Sequence, residues 1–244
     1  MSNALHAIVV IPTYNERDNI KSLLSAIFDL KMGWHVLVVD DTSPDGTADV
    51  VKSLQLRYVN QLHLLSRPEK EGLGRAYLAG FTWTLAYDYD YICSMDADFS
   101  HAPADLFRLL TMCAKHNLDI IIGSRYIADG HVVNWPYDRI LLSRLANWIA
   151  RCITNLPVKD ATAGFICYRR ALLEDILLQR IASVGYSFQI EMKFWAHHQG
   201  AKLVELPITF TNRVRGISKM DLKIAGESFF RLFQMRWRSW IKKR

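Results

Sequence analysis

Cysteine is scarce in this chain: Cys93, Cys113, Cys152 and Cys167 are the only four in 244 residues, and no two form a CxxC pair. That spacing offers neither a zinc knuckle nor a disulfide framework, and it fits a reducing compartment. Twelve glycines and seven prolines are too few for a fibrous chain, and 50% hydrophobic residues are too many for a disordered one. No apolar run approaches the roughly 20 residues that a membrane span needs. The first residues lack the basic start of a secretory signal. The expectation is a globular, cytoplasmic protein with no span of its own.

Acidic residues are few at the C-terminus. From Arg213 onward ten Lys and Arg meet only Asp221 and Glu227, a surplus of +8 in a chain whose total is +6. The preceding 212 residues are therefore near −2 by difference. A basic tail on a near-neutral body calls for an anionic partner such as a membrane, a nucleic acid or a phosphate. Phe229, Phe233, Trp237 and Trp240 share one helical stripe, while Arg231, Arg238 and Lys242 fall on another face. Those two faces describe a helix lying in lipid headgroups. Nothing resembles a helix-turn-helix or an RRM signature, so nucleic acid is not the expected partner.

Patterning predicts strands over 6–11, 34–39, 62–65, 91–95 and 119–123, with helices at 15–30, 47–60, 73–87 and 103–116 between them. Such alternation argues for a parallel sheet with helices on both faces. The second half is looser. A loop to Pro136 leads into an amphipathic helix over 138–155. Leu141, Leu145, Trp148 and Cys152 form its apolar face, and Arg144, Asn147, Arg151 and Asn155 its polar one. A strand at 165–169, helices at 171–179 and 188–198, and one strand over 202–210 follow.

Ligands of open parallel sheets bind outside the carboxyl ends of the strands. Those ends carry Pro12-Thr13-Tyr14-Asn15-Glu16, Asp40-Asp41 and Asp96-Ala97-Asp98. Carboxylates gathered on one edge raise each other's pKa or recruit a cation. For Asp45 and Asp105 capping a helix is the better reading. Asp96 and Asp98 alternate after a buried strand, so both side chains project to one side. That suits Mg²⁺ or Mn²⁺, which takes one or two carboxylates and fills its shell with substrate phosphates. Gly72-Leu73-Gly74 imitates a dinucleotide fingerprint, but Tyr77 stands where the third glycine belongs. Those glycines read as a tight loop and close helix packing. The histidines, His101 and the His197-His198 pair included, lack partners at metal-ligand spacing, and the cysteines read as small core hydrophobes.

IPTYNE, VVDDTSPDGT, GLGRAYLAGF, MDADFSH, GSRY and TFTNRVRGISKM occur in an order and spacing that resembles the inverting family 2 glycosyltransferases. Within them the chain is most similar to the dolichyl-phosphate and polyprenyl-phosphate mannosyltransferases. The resemblance covers residues 7–220. It implies a single-domain α/β GT-A fold with a mostly parallel central sheet flanked by helices. Residues 1–220 would form the catalytic domain and 221–244 the basic helix. GDP-mannose would be the donor and a polyprenyl or dolichyl phosphate the acceptor.

By resemblance, Pro12, Tyr14, Glu16, Val39 and Asp41 line the nucleotide pocket. Asp96 and Asp98 hold the metal, with Ala97 backing the sugar nucleotide. Arg125, Arg213 and Lys219 surround the phosphates, and Asp98 and Arg125 carry the catalysis. Arg139 and Ser143, four apart on a helix, join Arg125 at the acceptor phosphate. Ser100 stands where some members have Gln, so no side-chain metal ligand is implied there. Glu191 lies where relatives place acids near the acceptor, and orienting the sugar or anchoring its helix are both open.

A phosphate monoester is largely dianionic at neutral pH, so it needs no general base to attack the anomeric carbon. Direct inversion without an enzyme nucleophile is the expected course. Transfer of another sugar from a UDP donor is the alternative, and a non-enzymatic anion-binding module is the reading from a different class. Many relatives carry spanning helices, so peripheral attachment at the cytosolic face, or a membrane-spanning partner subunit, would bring this chain to its lipid.

Overall fold

Runs of Val and Ile with almost no polar interruption build the central strands, as expected where both faces of a sheet are covered. The computed structural model describes residues 5–179, 181–183, 185, 187–212 and 231–237. Strands β1 (Ala7–Thr13), β2 (His35–Asp40), β3 (Leu62–Ser66) and β4 (Tyr91–Ser94) alternate with helices α1 (Arg17–Phe28), α2 (Thr47–Gln55) and α3 (Leu73–Leu85). Then come α4 (Pro103–Lys115), β5 (Ile120–Ser124), β6 (His131–Val133), α5 (Tyr137–Thr154) and β7 (Ile166–Arg169). Helices α6 (Arg170–Leu177) and α7 (Ser187–His198), then β8 (Leu203–Pro207) and β9 (Thr209–Thr211), follow, and residues 231–237 are helical.

The main sheet runs β3-β2-β1-β4-β7-β5-β8, and β6 pairs with β9 in a second, two-stranded sheet. Only β7 is antiparallel, to β4 on one side and β5 on the other. The carboxyl ends of the other six strands of the main sheet therefore share one edge. Alternate strand residues supply two cores. Ile8, Val10, Leu37 and Val39 pack with α3, α6 and α7, whereas Val9, Ile11, Val36 and Val38 pack with α1, α2 and α4. Helix α3 lies close because Gly80 has no side chain: a Cβ there would stand 2.6 Å from Val10 Cγ1.

One expectation is corrected. The stretch 202–210 is two strands, not one. Pro207 lacks an N–H and ends the pairing with Ser124, and the chain then crosses to β6, itself absent from the sequence reading. Helix α5, whose apolar stripe could meet either the core or a membrane, turns that stripe outward. It buries Asn147, Ala150 and Thr154 and exposes Leu141, Leu142, Leu145 and Trp148. Cys152 is exposed with them, while the other three cysteines are buried. No helix among the described residues is long and apolar enough to cross a membrane. In the segment 231–237, Leu232 and Met235 pack into the core while Phe233 and Trp237 face outward. Phe229 and Trp240, and the boundary expected at 220, lie outside the described residues.

Candidate active site

The first two loops are tied together before any ligand is considered. Asp45 Oδ2 accepts from the Arg17 backbone N at 3.0 Å, while Oδ1 accepts from the Thr47 N at 3.0 Å and Oγ1 at 2.6 Å. It thus fastens the starts of α1 and α2, although the N-cap positions themselves are Glu16 and Gly46 and not Asp45. Asp105 is no cap; it lies in the first turn of α4, paired with Arg108 at 2.6 Å. Asp40 is also structural. It accepts from Thr13 Oγ1 at 2.9 Å, from the Ser43 N at 2.9 Å and from Ser43 Oγ at 2.6 Å.

Asp41 faces a different partner. Its Oδ1 accepts from Arg67 Nη1 at 2.8 Å, and the same guanidinium also reaches Glu71. Burial pushes the Asp41 carboxyl up, and Arg67 pulls it back. Lys70 lies 4.1 Å from the centre of the Tyr14 ring. Glu16 accepts from Asn19 Nδ2 at 2.9 Å, and its own N–H donates to Thr47 Oγ1. Tyr14, Glu16 and Asp41 thus meet one rim, joined by Arg67 and Lys70, which sequence reading missed. Pro12, next to last in β1, pairs with Val39. The Val39 and Ala97 side chains are packed in the core, so only their backbones can reach a nucleotide.

The second group follows β4. Tyr77, fully buried, donates to Asp96 Oδ1 at 3.2 Å. Burial pushes its phenol pKa well up, and the neighbouring carboxylate adds to this, so the hydroxyl stays a donor. The residue that spoils the dinucleotide fingerprint is thus the one that orients Asp96. Asp98 Oδ1 accepts from the Ser100 N at 3.0 Å across a turn in which Phe99 has a φ of 59°. Among the described residues no three His, Cys, Asp or Glu are arranged to hold a metal. Two hard carboxylates held in place fit a divalent cation whose other ligands are substrate oxygens.

The third group surrounds Arg125. Its backbone N and Nε donate to Asp160 Oδ2 at 3.0 and 2.7 Å, and Nη2 donates to Asp160 Oδ1 at 2.7 Å and to Thr162 Oγ1 at 2.8 Å. Burial opposes the charge of each partner, but their mutual attraction outweighs it: Arg125 is raised and Asp160 lowered. From Thr162 the network continues to Asn147 at 3.0 Å, and the Tyr126 hydroxyl donates to Ser143 Oγ at 2.8 Å. Arg139 lies 4.0 Å over the Trp135 ring and donates to Asn212 Oδ1. Arg125, Arg139 and Ser143 therefore share one neighbourhood, whereas Arg213 and Lys219 lie outside the described residues.

Two buried groups on α7 complete the floor. Glu191 accepts from the N–H groups of Ala182 and Ser183, at 3.1 and 2.8 Å, and from Trp195 Nε1, so it anchors its helix. Lys193 Nζ donates to the carbonyls of Ala161, Ala163 and Gln189, and burial pushes its pKa down to about 7. His101 is buried between Phe165 and Phe210, as a core histidine would be.

Residues 8–177 match the family model described as glycosyl transferase family 2. The chain is 44% identical over 225 residues to a polyprenol monophosphomannose synthase of Mycolicibacterium smegmatis, covering 92% of this chain and 84% of that one. It is 42% identical over 224 residues to an undecaprenyl-phosphate mannosyltransferase of Micrococcus luteus, covering 92% and 91%. Among solved structures it is similar to a glucosyl-3-phosphoglycerate synthase of Mycobacterium tuberculosis, crystallised with Mn²⁺, UDP and glucosyl-3-phosphoglycerate. That match has a TM-score of 0.68 and 16% identity, and covers 96% of this chain and 79% of the other. At that identity the likeness speaks for the GT-A type of fold. The chain belongs to glycosyltransferase family 2, and the non-enzymatic reading of its basic tail falls away.

Proposed function

We propose that this glycosyltransferase moves mannose from GDP-mannose to the phosphate of a polyprenyl or dolichyl lipid. The observation that carries the reading is the level of identity, above 40% over 92% of the chain, to two enzymes named for prenyl-phosphate mannosylation. The site is consistent with it. The rim formed by Tyr14, Glu16, Asp41 and Arg67 would take the nucleoside, and Asp96 and Asp98 the diphosphate through Mg²⁺ or Mn²⁺. Bound there, the cation would supply charge neutralisation for the departing diphosphate. Arg213 and Lys219, on resemblance, add to it.

Arg125, Arg139 and Ser143 would position the lipid phosphate. Its oxygen attacks the anomeric carbon as the bond from that carbon to the diphosphate oxygen breaks, and the electron pair leaves with GDP. The configuration inverts. No side chain needs to remove a proton, because the nucleophile is already anionic. Asp160 keeps Arg125 charged and fixed, so this donor is preorganised for the incoming phosphate.

The exposed face of α5 provides the approach to lipid. Leu141 is 59% exposed and Trp148 60%. They stand on the same helix as Arg139 and Ser143, so a bilayer meeting that face would present its phosphate beside them. Phe233 and Trp237 offer further apolar contact, and the basic tail favours anionic headgroups. Peripheral attachment at the cytosolic face follows, with or without a spanning subunit.

The test is incubation of the purified protein with Mn²⁺, a short polyprenyl phosphate and labelled GDP-mannose, UDP-glucose or UDP-N-acetylglucosamine in parallel. Label from GDP-mannose alone should reach the organic phase, and Asp98→Ala should abolish it. Transfer only from a UDP-sugar would overturn the donor.

A further inference from the structure

The first turn of α7 carries a buried amide that the described residues leave unused. Gln189 is 4% exposed, and neither its Oε1 nor its Nε2 has a hydrogen-bond partner among the described residues. An amide offers two donors and an acceptor, and a protein that buries one unpaired bears its full desolvation penalty. Buried polar groups without a partner are uncommon in folded proteins, and an unfilled ligand contact is one cause.

Its surroundings join both halves of the site. The preceding residue, Phe188, stacks parallel to Tyr77 with centroids 5.8 Å apart, and Tyr77 donates to Asp96. On the other side, Lys193 connects the Gln189 carbonyl to those of Ala161 and Ala163. These flank Thr162, which accepts from Arg125. Gly164 lies against the amide: a Cβ there would stand 3.3 Å from Nε2 and 3.7 Å from Cδ. Any side chain at that position would roof Gln189. The Gly164 carbonyl accepts from Ser94 Oγ at 2.7 Å, at the end of β4 and two residues before Asp96.

We infer that Gln189 reads the donor sugar: its amide, reached past Gly164, exchanges hydrogen bonds with ring hydroxyls of the hexose. The inference rests on the assignment of this pocket to a sugar nucleotide and adds the residue that discriminates among sugars. A neutral group that both donates and accepts matches hydroxyls, which do the same, whereas phosphates are better served by cations. The position agrees. Gln189 is linked to the Asp96 group through Phe188 and Tyr77 and to the Arg125 group through Lys193 and the 161–164 loop, while the proposed nucleoside rim follows β1 and β2.

The experiment compares wild type, Gln189→Met and Gly164→Ala on the parent donor and its monodeoxy analogues at each free ring hydroxyl. Wild type should reject at least one analogue by about 10²-fold in kcat/KM, as sites with committed polar partners do. Gln189→Met should lose a similar factor on the parent and no longer distinguish it from that analogue. Gly164→Ala should do the same by covering the amide, which keeps the test available if one variant fails to fold.

Calorimetry gives a readout independent of transfer. Gln189→Met should weaken the sugar nucleotide and leave the free nucleoside diphosphate unchanged. Parallel responses of variants and wild type across all analogues, or equal weakening of sugar nucleotide and diphosphate, would overturn the inference. Failure of the mannosyl assignment looks different: wild type would ignore GDP-mannose, and the deoxy series would be built on the donor it does use.

Discussion

Asp160 grips Arg125 through three hydrogen bonds, from the backbone N at 3.0 Å and from Nε and Nη2 at 2.7 Å each. Both side chains are nearly or wholly buried. Removing one partner strands the other charge, at a cost of roughly 3–5 kcal/mol. Asp160→Ala should therefore shift urea unfolding by about that amount. Arg125→Lys keeps the charge but not the planar fork. It should lower kcat/KM by about tenfold or more, the equivalent of one charge-assisted hydrogen bond.

Tyr77→Phe isolates the hold on Asp96. The ring still stacks between Phe81 and Phe188, so packing survives. Lost support of a ligand typically costs 10–100-fold in metal affinity or activity. Mn²⁺ binding followed by electron paramagnetic resonance should weaken by about tenfold. Unchanged Mn²⁺ affinity would show that Asp96 needs no such support.

The exposed α5 face should matter to membranes and not to folding. Leu141→Asp with Trp148→Asp should leave the melting temperature near that of wild type. Sedimentation with anionic vesicles should fall by about tenfold or more, since each buried apolar side chain contributes roughly 1.5–3 kcal/mol. Transfer to a water-soluble short-chain phosphate should be spared. A large loss of stability would mean that the face packs inward.

Acid should destabilise the fold in a defined window. Burial pushes His101 down to about 4 from the ordinary 6.5. Burial also lowers His35 and His63, which with His6 line the amino-terminal ends of β1–β3. Between those values the unfolded chain binds protons that the folded chain refuses, so stability falls as pH drops from 6.5 towards 4. His101→Phe, which keeps the stacking on Phe165, should flatten that dependence when unfolding is measured at pH 7 and 4.5.

The sheet was legible because its strands are continuous Val and Ile runs and its helices carry apolar residues at helical spacing. Ile20, Leu23, Leu24 and Ile27 are buried on α1 as the period requires. The acidic loops were legible because they directly follow those strands. Arg67 and Lys70 were missed, since a basic residue after a short edge strand reads as solvated surface. Helix α5 was assigned correctly as a helix with an apolar stripe, but whether that stripe met the core or a membrane stayed open. An apolar stripe on a helix has the same appearance whether it meets a core or a membrane, and Asn147 gave no sign that Thr162 awaited it.

The sequence by itself determined the strand–helix alternation, the helices on both faces of the sheet and the carboxylates at the strand ends, because each is a pattern within a few residues. Only the tertiary structure decided which groups pair. Tyr77 meets Asp96 across 19 residues, Asp41 meets Arg67 across 26, and Arg125 meets Asp160 across 35. It also decided that Gln189 is buried without a partner among the described residues. Hydrogen bonds and ion pairs act over a few ångströms, so their partners are set by the order and direction of strands, β7 reversed among them, and not by distance along the chain.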